Sequence, residues 1–355
     1  MFRTVPLMNL SSIRHLVPRP LRLAASAQLA ERNSARLQRE LAALVSKQAP
    51  IVAGPWLGEV GFELLYWLPF LAWFAERFEV PPDRLVVLSR GGCGTWYRRL
   101  ASQYSDVFEQ VSPDTFRARH DARVREIGEQ KQTRITAFEH ELLAGAAQRI
   151  GLDGSSVLHP SRMYDLLNPF WWGHLSGDWV YRHTRYHRLP EPDRPGVPGL
   201  PASYVAVKFY FNECFPSSRE NRLLVRDVLR TLARRTPVVF LSTGFEIDDH
   251  GGYQVDDINV RQLPRDIEPA RNLEIQSAVV AGARAFVGTY GGFSYLAPFY
   301  GVKSMAVFSK PDGFSRRHLH VAQSAFDRIG GSGLLSVDEV GTGESIAERA
   351  WAVDA

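Results

Sequence analysis

The residues best suited to binding an anion lie between two apolar runs in residues 283–309, ARAFVGTYGGFSYLAPFYGVKSMAVFS. The first run, Ala285–Val287, is typical of a strand, and Phe293–Tyr300 after the glycines is typical of a helix. A glycine turn between a strand and a helix brings bare backbone amides together with the positive end of the helix dipole. We therefore expect a phosphate-binding turn whose candidate residues are Gly288, Thr289, Gly291, Gly292 and Ser294. Within this turn Ser294 is placed to cap the helix and to add a hydroxyl donor. The alternative is a plain strand-to-helix turn.

Basic residues follow another apolar run in the same half of the chain. Lys208 ends YVAVKF, and Arg219 and Arg222 come shortly after it in SSRENR. A cation beside a diphosphate stabilises the charge that develops as the leaving group departs, and arginine can grip a phosphate with two donors. We expect Lys208 to act in catalysis and Arg222 to bind the phosphorylated ligand, with a solvated helix start as the alternative for both arginines. Thr243, in the small-residue loop after PVVFL, is a further candidate for the same ligand.

Two carboxylates stand in the N-terminal half, in the glycine-rich segment GPWLGEVGFE at residues 54–63. Transfer of a group to a hydroxyl uses a carboxylate or a histidine to accept the proton. Glu59 lies between Gly58 and Gly61 and is the predicted base. Glu63 lies at the start of the following helix, where a carboxylate complements the helix dipole. A reaction with retention would need no such base, so the role of Glu59 stays open at this point.

An acidic loop could hold a metal ion, but its spacing argues against one. Its two acidic pairs are Asp248 with Asp249 and Asp256 with Asp257. They do not match the ligand pattern of a calcium loop, and the two cysteines are not spaced as metal ligands. We expect a solvated loop, no metal, and no cofactor other than a substrate.

Short apolar runs alternate with glycine loops and amphipathic segments, which is typical of parallel α/β units. The predicted strands are Ile51–Ala53, Arg84–Leu88, Tyr204–Phe209, Pro237–Leu241, Ala285–Val287 and Met305–Phe308. The predicted helices are Leu21–Val45, Phe62–Phe78 with an interruption at Pro69, Trp96–Ser102, a helical stretch over Asp114–Ile150, Asn221–Arg234, Asn272–Ala281 and Phe293–Tyr300. This series predicts an α/β fold with two Rossmann-like, doubly wound domains facing a cleft, the usual place for a ligand.

A proline-rich segment at residues 189–201 divides this series and predicts an extended linker. The predicted organisation is a basic segment and helix over residues 1–45, an N-terminal α/β domain over 46–188, the linker, and a C-terminal α/β domain over 202–355.

The composition excludes several classes of protein. The 355 residues are 45% hydrophobic and can form a large core. The net charge is +4 and its basic residues are spread along the chain, so we expect no nucleic-acid partner. Two cysteines, Cys93 and Cys214, exclude a disulfide framework and favour the cytoplasm. No apolar run is long enough to cross a membrane.

Residues 1–30 contain four arginines and no acidic residue. A transit peptide and a peripheral membrane contact both stay open beside a plain basic leader.

Aromatic side chains cluster in the N-terminal half. They are Trp56, Tyr66, Trp67, Trp73, Trp96, Tyr97, Phe170, Trp171, Trp172 and Trp179. Such clusters usually form core, and any exposed member could stack on a sugar ring.

Residues 204–309 resemble the donor domain of GT-B glycosyltransferases in the order of their segments and in their glycine turn. The motif GTYGGFS is similar to the turn that precedes a helix in heptosyltransferases and fucosyltransferase-like enzymes. The segment GPWLGEVGFE resembles a signature of bacterial polysaccharide-related transferases. The resemblance implies a metal-independent enzyme, and it implies that Glu274, on the helix before the turn, holds the ribose of a nucleotide donor. A surface helix position is the alternative for Glu274.

The sequence therefore predicts a bacterial, cytoplasmic glycosyltransferase of polysaccharide biosynthesis. It would move a sugar from a nucleotide-sugar donor to a hydroxyl of a glycan or lipid-linked acceptor, with peripheral contact to the inner membrane through its basic N-terminus as an open point. Two alternatives remain: a catalytically silent GT-B-like binding or assembly protein at a membrane surface, and a nucleotide-sugar epimerase.

Overall fold

The computed structural model of the protein describes residues 19–152, 154–193, 197–243, 251–253 and 260–340, together with residues 346 and 348. Within them the chain forms two parallel sheets with their helices, which we term the first and the second unit. The predicted α/β class with two Rossmann-like units is confirmed. The four aspartates of the acidic loop and residues 1–18 of the basic N-terminus lie outside the described residues.

The first unit is a four-stranded sheet in the order β3-β2-β1-β4, with all neighbours parallel. Its strands are β1 (Ile51–Ala53), β2 (Leu85–Ser89), β3 (Gln103–Asp106) and β4 (Ser156–Leu158). Its helices are α1 (Arg19–Ser46), α2 (Val60–Phe62), α3 (Leu68–Arg77), α4 (Gly94–Tyr97), α5 (Pro113–Ile127), α6 (Ala137–Ile150), α7 (Ser161–Trp171) and α8 (Gly177–Arg182). The π-helical segment Glu63–Trp67 joins α2 to α3 without a break.

The second unit is a six-stranded parallel sheet in the order β12-β11-β10-β5-β7-β9. Its strands are β5 (Val205–Lys208), β7 (Val238–Phe240), β9 (Val260–Gln262), β10 (Ala285–Thr289), β11 (Lys303–Phe308) and β12 (Leu335–Glu339). A small antiparallel pair, β6 (Tyr210–Phe211) and β8 (Gly251–Gly252), lies beside it. Its helices are α9 (Arg219–Ala233), α10 (Asn272–Ala281), α11 (Gly292–Phe299) and α12 (Arg316–Arg328).

The strand order of the second unit creates a switch point between β5 and β10. From β5 the chain first builds outward to β7 and β9, and then returns to place β10 on the other side of β5. The loops that follow β5 and β10 therefore leave in opposite directions and open a crevice at the carboxyl ends of the strands. Lys208 ends β5 and Thr289 ends β10, so the strand order brings both predicted segments to this crevice.

The largest hydrophobic cluster is continuous through both units. It contains Ile51 of β1 and Phe286 of β10, together with most of α11. The other face of each sheet is covered separately, by α5 and α6 in the first unit and by α9 in the second. Because both faces of each sheet are buried at its centre, the central strands β1, β2, β5, β7 and β10 are short runs without polar–apolar alternation. A shared core, and not only a linker, thus joins the two units.

Two predicted helical stretches are shorter in the structure. Gly128 adopts a φ of 85°, a left-handed conformation that ends α5, and residues 129–136 form a loop before α6. The helix predicted over Trp96–Ser102 ends at Tyr97, because the chain turns there into β3. The strand β3 was missed because QYSD has no apolar run.

Pro69 does not interrupt the helix in which it stands. It lies in the first turn of α3, directly after the wider π-helical turn. A proline inside a helix leaves the carbonyl four residues earlier without its amide donor. That carbonyl belongs to Leu65 and accepts a hydrogen bond from the Tyr186 hydroxyl at 2.9 Å. The expected interruption is therefore wrong, because another side chain supplies the missing donor.

Candidate functional site

A cavity of about 390 Å³ lies between the two units at the switch point of the second sheet. The first unit contributes the start of α2 and the π-helical turn, through Glu59, Val60, Gly61, Phe62, Leu65 and Tyr66. The second unit contributes segments after β5, β7 and β10 and the starts of α10 and α12, including Lys208, Tyr210, Thr243, Asn272, Gln276, Tyr290, Gly291, Gly292, Phe293, Ser315 and His318.

Two glycines bring the two units into backbone contact at this cavity. A β-carbon on Gly292 would lie 2.7 Å from the Gly61 nitrogen, and one on Gly61 would lie 3.2 Å from the Gly292 α-carbon. Any side chain at Gly292 would therefore push the start of α11 away from the start of α2. The glycines of GPWLGEVG and of GTYGGFS meet in space although they are far apart in the sequence.

The turn before α11 is held in place by its own residues. Gly291 has a φ of 148°, and a β-carbon there would collide with the Tyr210 hydroxyl. Ser294 Oγ accepts a hydrogen bond from the Gly291 amide at 3.1 Å and donates one to the Gly291 carbonyl at 2.7 Å. The predicted cap by Ser294 is thus present, and the positive end of α11 opens on the cavity.

Lys208 places its ammonium group beside this helix start. Its Nζ donates to the Leu241 carbonyl at 3.1 Å and to Gln276 Oε1 at 2.6 Å, and it lies 4.1 Å from the centroid of the Phe293 ring. The carbonyl, the amide oxygen and the ring fix the direction of a side chain that would otherwise be flexible.

A chain of hydrogen bonds continues from Lys208 across the cavity floor. Gln276 Nε2 donates to Asn272 Oδ1, and Asn272 Nδ2 donates to Thr243 Oγ1 at 2.6 Å. Thr243, Asn272 and Gln276 are all buried and all line the cavity. Asn272 and Gln276 were not predicted, since amides on a helix carry no sequence signal until the helix is placed.

Several predicted residues are not among the described residues that line the cavity. Gly288 faces the backbone of Lys208 on β5, where a β-carbon would collide with the Lys208 carbonyl. Thr289 uses its hydroxyl to accept from the Tyr210 amide at 3.1 Å and to donate to the Tyr210 carbonyl at 2.8 Å. These two residues serve the packing of β10 and β6 in this structure.

Three more predicted side chains, unlike Thr243, are not among the described residues that line the cavity. Glu274 pairs with Arg271, with 3.1 Å between Oε2 and Nε. Arg222 is exposed, donates to Ser217 Oγ at 2.5 Å and stacks over Phe211 with 4.9 Å to the ring centroid. Arg219 is exposed at the start of α9.

Glu59 lines the cavity as the residue before α2 and is half-buried. The loop that carries it is anchored on the first sheet. Gln132, fully buried, accepts from the Leu57 amide at 2.9 Å and donates to the Pro55 carbonyl at 2.7 Å. The Arg90 guanidinium donates to the Gly58 carbonyl. The backbone of the loop before Glu59 is therefore held by buried side chains, and the role of Glu59 as a base stays a prediction.

Glu63 has a different environment from the one the sequence suggests. It is fully buried, and its Oε1 accepts hydrogen bonds from Ser89 Oγ at 2.6 Å and from the Tyr97 hydroxyl at 2.5 Å. Its Oε2 lies 3.6 Å from Arg90 Nη1. Burial raises the pKa of Glu63 to about 7, against the lowering effects of Arg90 and of the hydrogen bonds. Glu63 thus fastens the helix to β2 and does not line the cavity.

His318 is a cavity residue that sequence reasoning missed, because it follows the last motif in the chain. It lies in the first turn of α12, and its Nδ1 is 2.6 Å from the Tyr66 hydroxyl of the first unit. Burial first, and then Lys131, lower its pKa to about 4. The imidazole is therefore neutral over the physiological range.

Among the described residues, no group of three or more His, Cys, Asp or Glu could hold a metal ion. The expectation of a metal-independent site remains a prediction. No helix in the described part of the chain is both long and apolar enough to cross a membrane.

Comparisons with solved structures find glycosyltransferases of the kind that the sequence resembles. The heptosyltransferase WaaC of E. coli, solved with ADP, is 13% identical with a TM-score of 0.42, over 86% of this chain and 99% of that chain. The ADP-heptose LPS heptosyltransferase II of E. coli is 13% identical with a TM-score of 0.45, over 86% and 98%. A family 9 glycosyl transferase from Veillonella parvula is 10% identical with a TM-score of 0.43, over 86% and 89%.

No protein-family model matches the chain, and no curated protein matches it. The assignment to an α/β fold with two units rests on the two parallel sheets described above.

Proposed function

We propose that the protein is a glycosyltransferase that moves a sugar from a nucleotide-activated donor to a hydroxyl of a glycan or lipid-linked acceptor. The observation that carries the proposal is the cavity between the two units, which is lined by an oriented lysine and a glycine-capped helix start from one unit and by a carboxylate from the other. A diphosphate needs the first two groups, and a nucleophilic hydroxyl needs the third.

The diphosphate would lie at the start of α11. Gly292 and Phe293 are in the first turn of that helix, whose amides have no partner within the helix itself. Lys208 stands beside the same turn and would neutralise the leaving diphosphate. The nucleoside would extend toward Thr243 and Asn272, whose side chains are already joined by a hydrogen bond. This replaces Glu274, which pairs with Arg271, as the group that holds the ribose.

Glu59 would accept the proton of the acceptor hydroxyl. Glu59 belongs to the first unit and Lys208 to the second, and both line the cavity, so the donor sugar would lie between the leaving-group site and the base. The proposed reaction needs no metal, because the cation and the helix dipole supply the positive charge. We place the enzyme in polysaccharide biosynthesis in the bacterial cytoplasm, with the basic N-terminus contacting the inner membrane.

The test starts with nucleotides, because the donor is the better-defined half. The melting temperature is measured with ADP, UDP, GDP and dTDP, and one of them is expected to stabilise the protein by about 2.7 kcal/mol at a concentration of about 100 times Kd. Its nucleotide sugars are then supplied with and without a glycan acceptor, and the released nucleotide is measured. Stabilisation by none of the four nucleotides would contradict the proposal, and conversion of the sugar without any acceptor would instead indicate an epimerase.

Glu59→Gln separates catalysis from binding in the same assay. The nucleotide-induced rise in melting temperature is expected to persist, while transfer falls by about 100-fold or more, as is usual for the loss of a general base. The control is Glu220→Gln, on the exposed start of α9. Unchanged transfer in Glu59→Gln would remove Glu59 from the mechanism.

A further inference from the structure

We infer that the end of the cavity formed by Phe62, Tyr66 and His318 binds a neutral sugar ring of the acceptor, with His318 Nε2 in contact with one of its hydroxyl groups. The inference rests on the proposed function and names the chemistry of its second substrate. His318 belongs to the second unit and Phe62 to the first, so the subsite exists only where the two units meet.

An aromatic surface forms one wall of this end of the cavity. The Phe62 ring lies 5.2 Å from that of Tyr66, 5.8 Å from that of Trp171 and 5.0 Å from that of His318, measured between centroids. Tyr66 is fully buried, whereas Phe62 is half-buried and lines the cavity. Phe62 therefore has a ring surface left for a ligand, and its neighbours fix its orientation. Pockets that combine an aromatic wall with a few fixed polar groups suit sugar rings, which have both C–H and hydroxyl surfaces.

His318 supplies the fixed polar group. Its Nδ1 is occupied by the Tyr66 hydroxyl at 2.6 Å, and within the described part of the chain this is the one hydrogen bond of the imidazole ring. Nε2 is either a donor or an acceptor, depending on which nitrogen carries the proton. A sugar hydroxyl fits both cases, because it can donate and accept. Tyr66, by holding Nδ1, sets the direction in which Nε2 points.

Charges of opposite sign lie near this end of the cavity: Lys131 has its Nζ 5.2 Å from the Trp171 ring centroid, and Glu59 is on the lining, so the two do not combine to attract an anion. Burial and Lys131 lower the pKa of His318 to about 4, so its ring offers no positive charge to an anion near neutral pH. Glu59, the one carboxylate among the described lining residues, would repel a carboxylate or phosphate placed beside Phe62. The anion-binding groups, Lys208 and the start of α11, belong to the proposed donor site.

Saturation-transfer NMR with simple glycosides tests the inference without knowledge of the true acceptor. The probes are the methyl glycosides of glucose, galactose and mannose, with methyl glucuronoside as the anionic comparison. We expect saturation transfer to at least one neutral glycoside. We expect Phe62→Leu and His318→Asn to weaken its binding by about fivefold or more, as for the loss of one hydrogen bond or stacking contact. His320→Asn, an exposed change two residues further along α12, is expected to have no effect.

The nucleotide-induced rise in melting temperature is measured on every variant, both to show that it is folded and to separate the two proposals. Binding of no neutral glycoside, binding of glucuronoside alone, or equal binding by the variants and the wild type would each overturn the acceptor subsite. If a nucleotide still stabilises the protein in that case, the proposed function stands without it. If glycosides bind as expected but no nucleotide does, the subsite stands and the transferase proposal fails.

Discussion

The indole Nε1 of Trp96 in the first unit donates a hydrogen bond to Ser277 Oγ in α10 of the second unit, at a distance of 3.1 Å. Both side chains are buried. A polar contact of this kind is specific in direction, and here it lies within the hydrophobic cluster that runs through both sheets. A hydrogen bond as well as packing therefore fixes the position of one unit relative to the other, and we expect the two units to unfold together.

Ser277→Ala tests this coupling. The change leaves the buried Trp96 N–H without its acceptor, which costs about 1–3 kcal/mol of the free energy of unfolding. Urea unfolding followed by tryptophan fluorescence and by circular dichroism should give one coincident transition in both proteins, at lower urea in the variant. Ser102→Ala, at an exposed position, is the control. Two separate transitions in the wild type would show that the units are independent.

Gly292→Ala is expected to abolish nucleotide binding. Its β-carbon would lie 2.7 Å from the Gly61 nitrogen and 3.0 Å from the Val60 β-carbon, so the start of α11 would have to move. The rise in melting temperature with the stabilising nucleotide should disappear. Gly177→Ala, where the β-carbon would meet only the end of the Tyr181 side chain at 3.2 Å, should retain it. A normal nucleotide response in Gly292→Ala would place the diphosphate elsewhere.

Lys208→Met is expected to weaken nucleotide diphosphate binding more than nucleoside binding. The change removes the charge but keeps a long side chain over Phe293, so the loss should follow the phosphates. Isothermal titration calorimetry measures the affinity of the variant and of the wild type for the nucleoside diphosphate and for the matching nucleoside. Lys310→Met, at an exposed position, serves as the matched change. An equal loss for both ligands would mean that Lys208 acts only through the fold.

Glu63→Gln should change how stability depends on pH. The pKa of Glu63 is raised from its usual value of 4.5 to about 7 in the folded state. The contribution of its protonated carboxyl to the free energy of unfolding is therefore fully present below the unfolded-state pKa and is lost as pH rises through the folded-state pKa. Relative to the wild type, the variant should gain about 3 kcal/mol between about pH 4.5 and about pH 7. Urea unfolding across this range gives the difference, and Glu79→Gln, which is exposed, should run parallel to the wild type. A constant difference between Glu63→Gln and wild type would mean that this carboxyl does not titrate in that window.

The sequence predicts the second unit more fully than the first. Apolar runs and glycine turns locate β5, β7, β10 and α11 to within two residues. Parallel strands that are buried on both faces need nearly continuous apolar runs, which are easy to recognise in a sequence. The first unit is harder to predict because it includes β3 and β4, which are four and three residues long and partly polar. Whether such short segments form strands is determined by the neighbouring strands with which they pair.

The site shows the same limit at the level of side chains. Gly292, Lys208 and Glu59 follow from residue type and position, and all three line the cavity. Asn272 and His318 cannot be predicted in this way, because they reach the cavity only through the packing of α10 and α12. Conversely, Thr289 has suitable chemistry, but its partner Tyr210 is 79 residues away in the sequence. Glu274 pairs with Arg271 three residues before it, a local spacing that favours a surface ion pair on a helix.

The π-helical turn at Glu63–Trp67 limits which sequence changes this helix can tolerate. A π turn holds one residue more than an α turn, so it shifts the phase of everything that follows it. Phe62 before the turn lines the cavity, whereas Leu68–Phe74 after it are buried in the core shared by both units. Removal of a single residue here would rotate the whole of α3 by roughly a quarter turn. The segment can therefore accept exchanges of side chain far more readily than any change in its length.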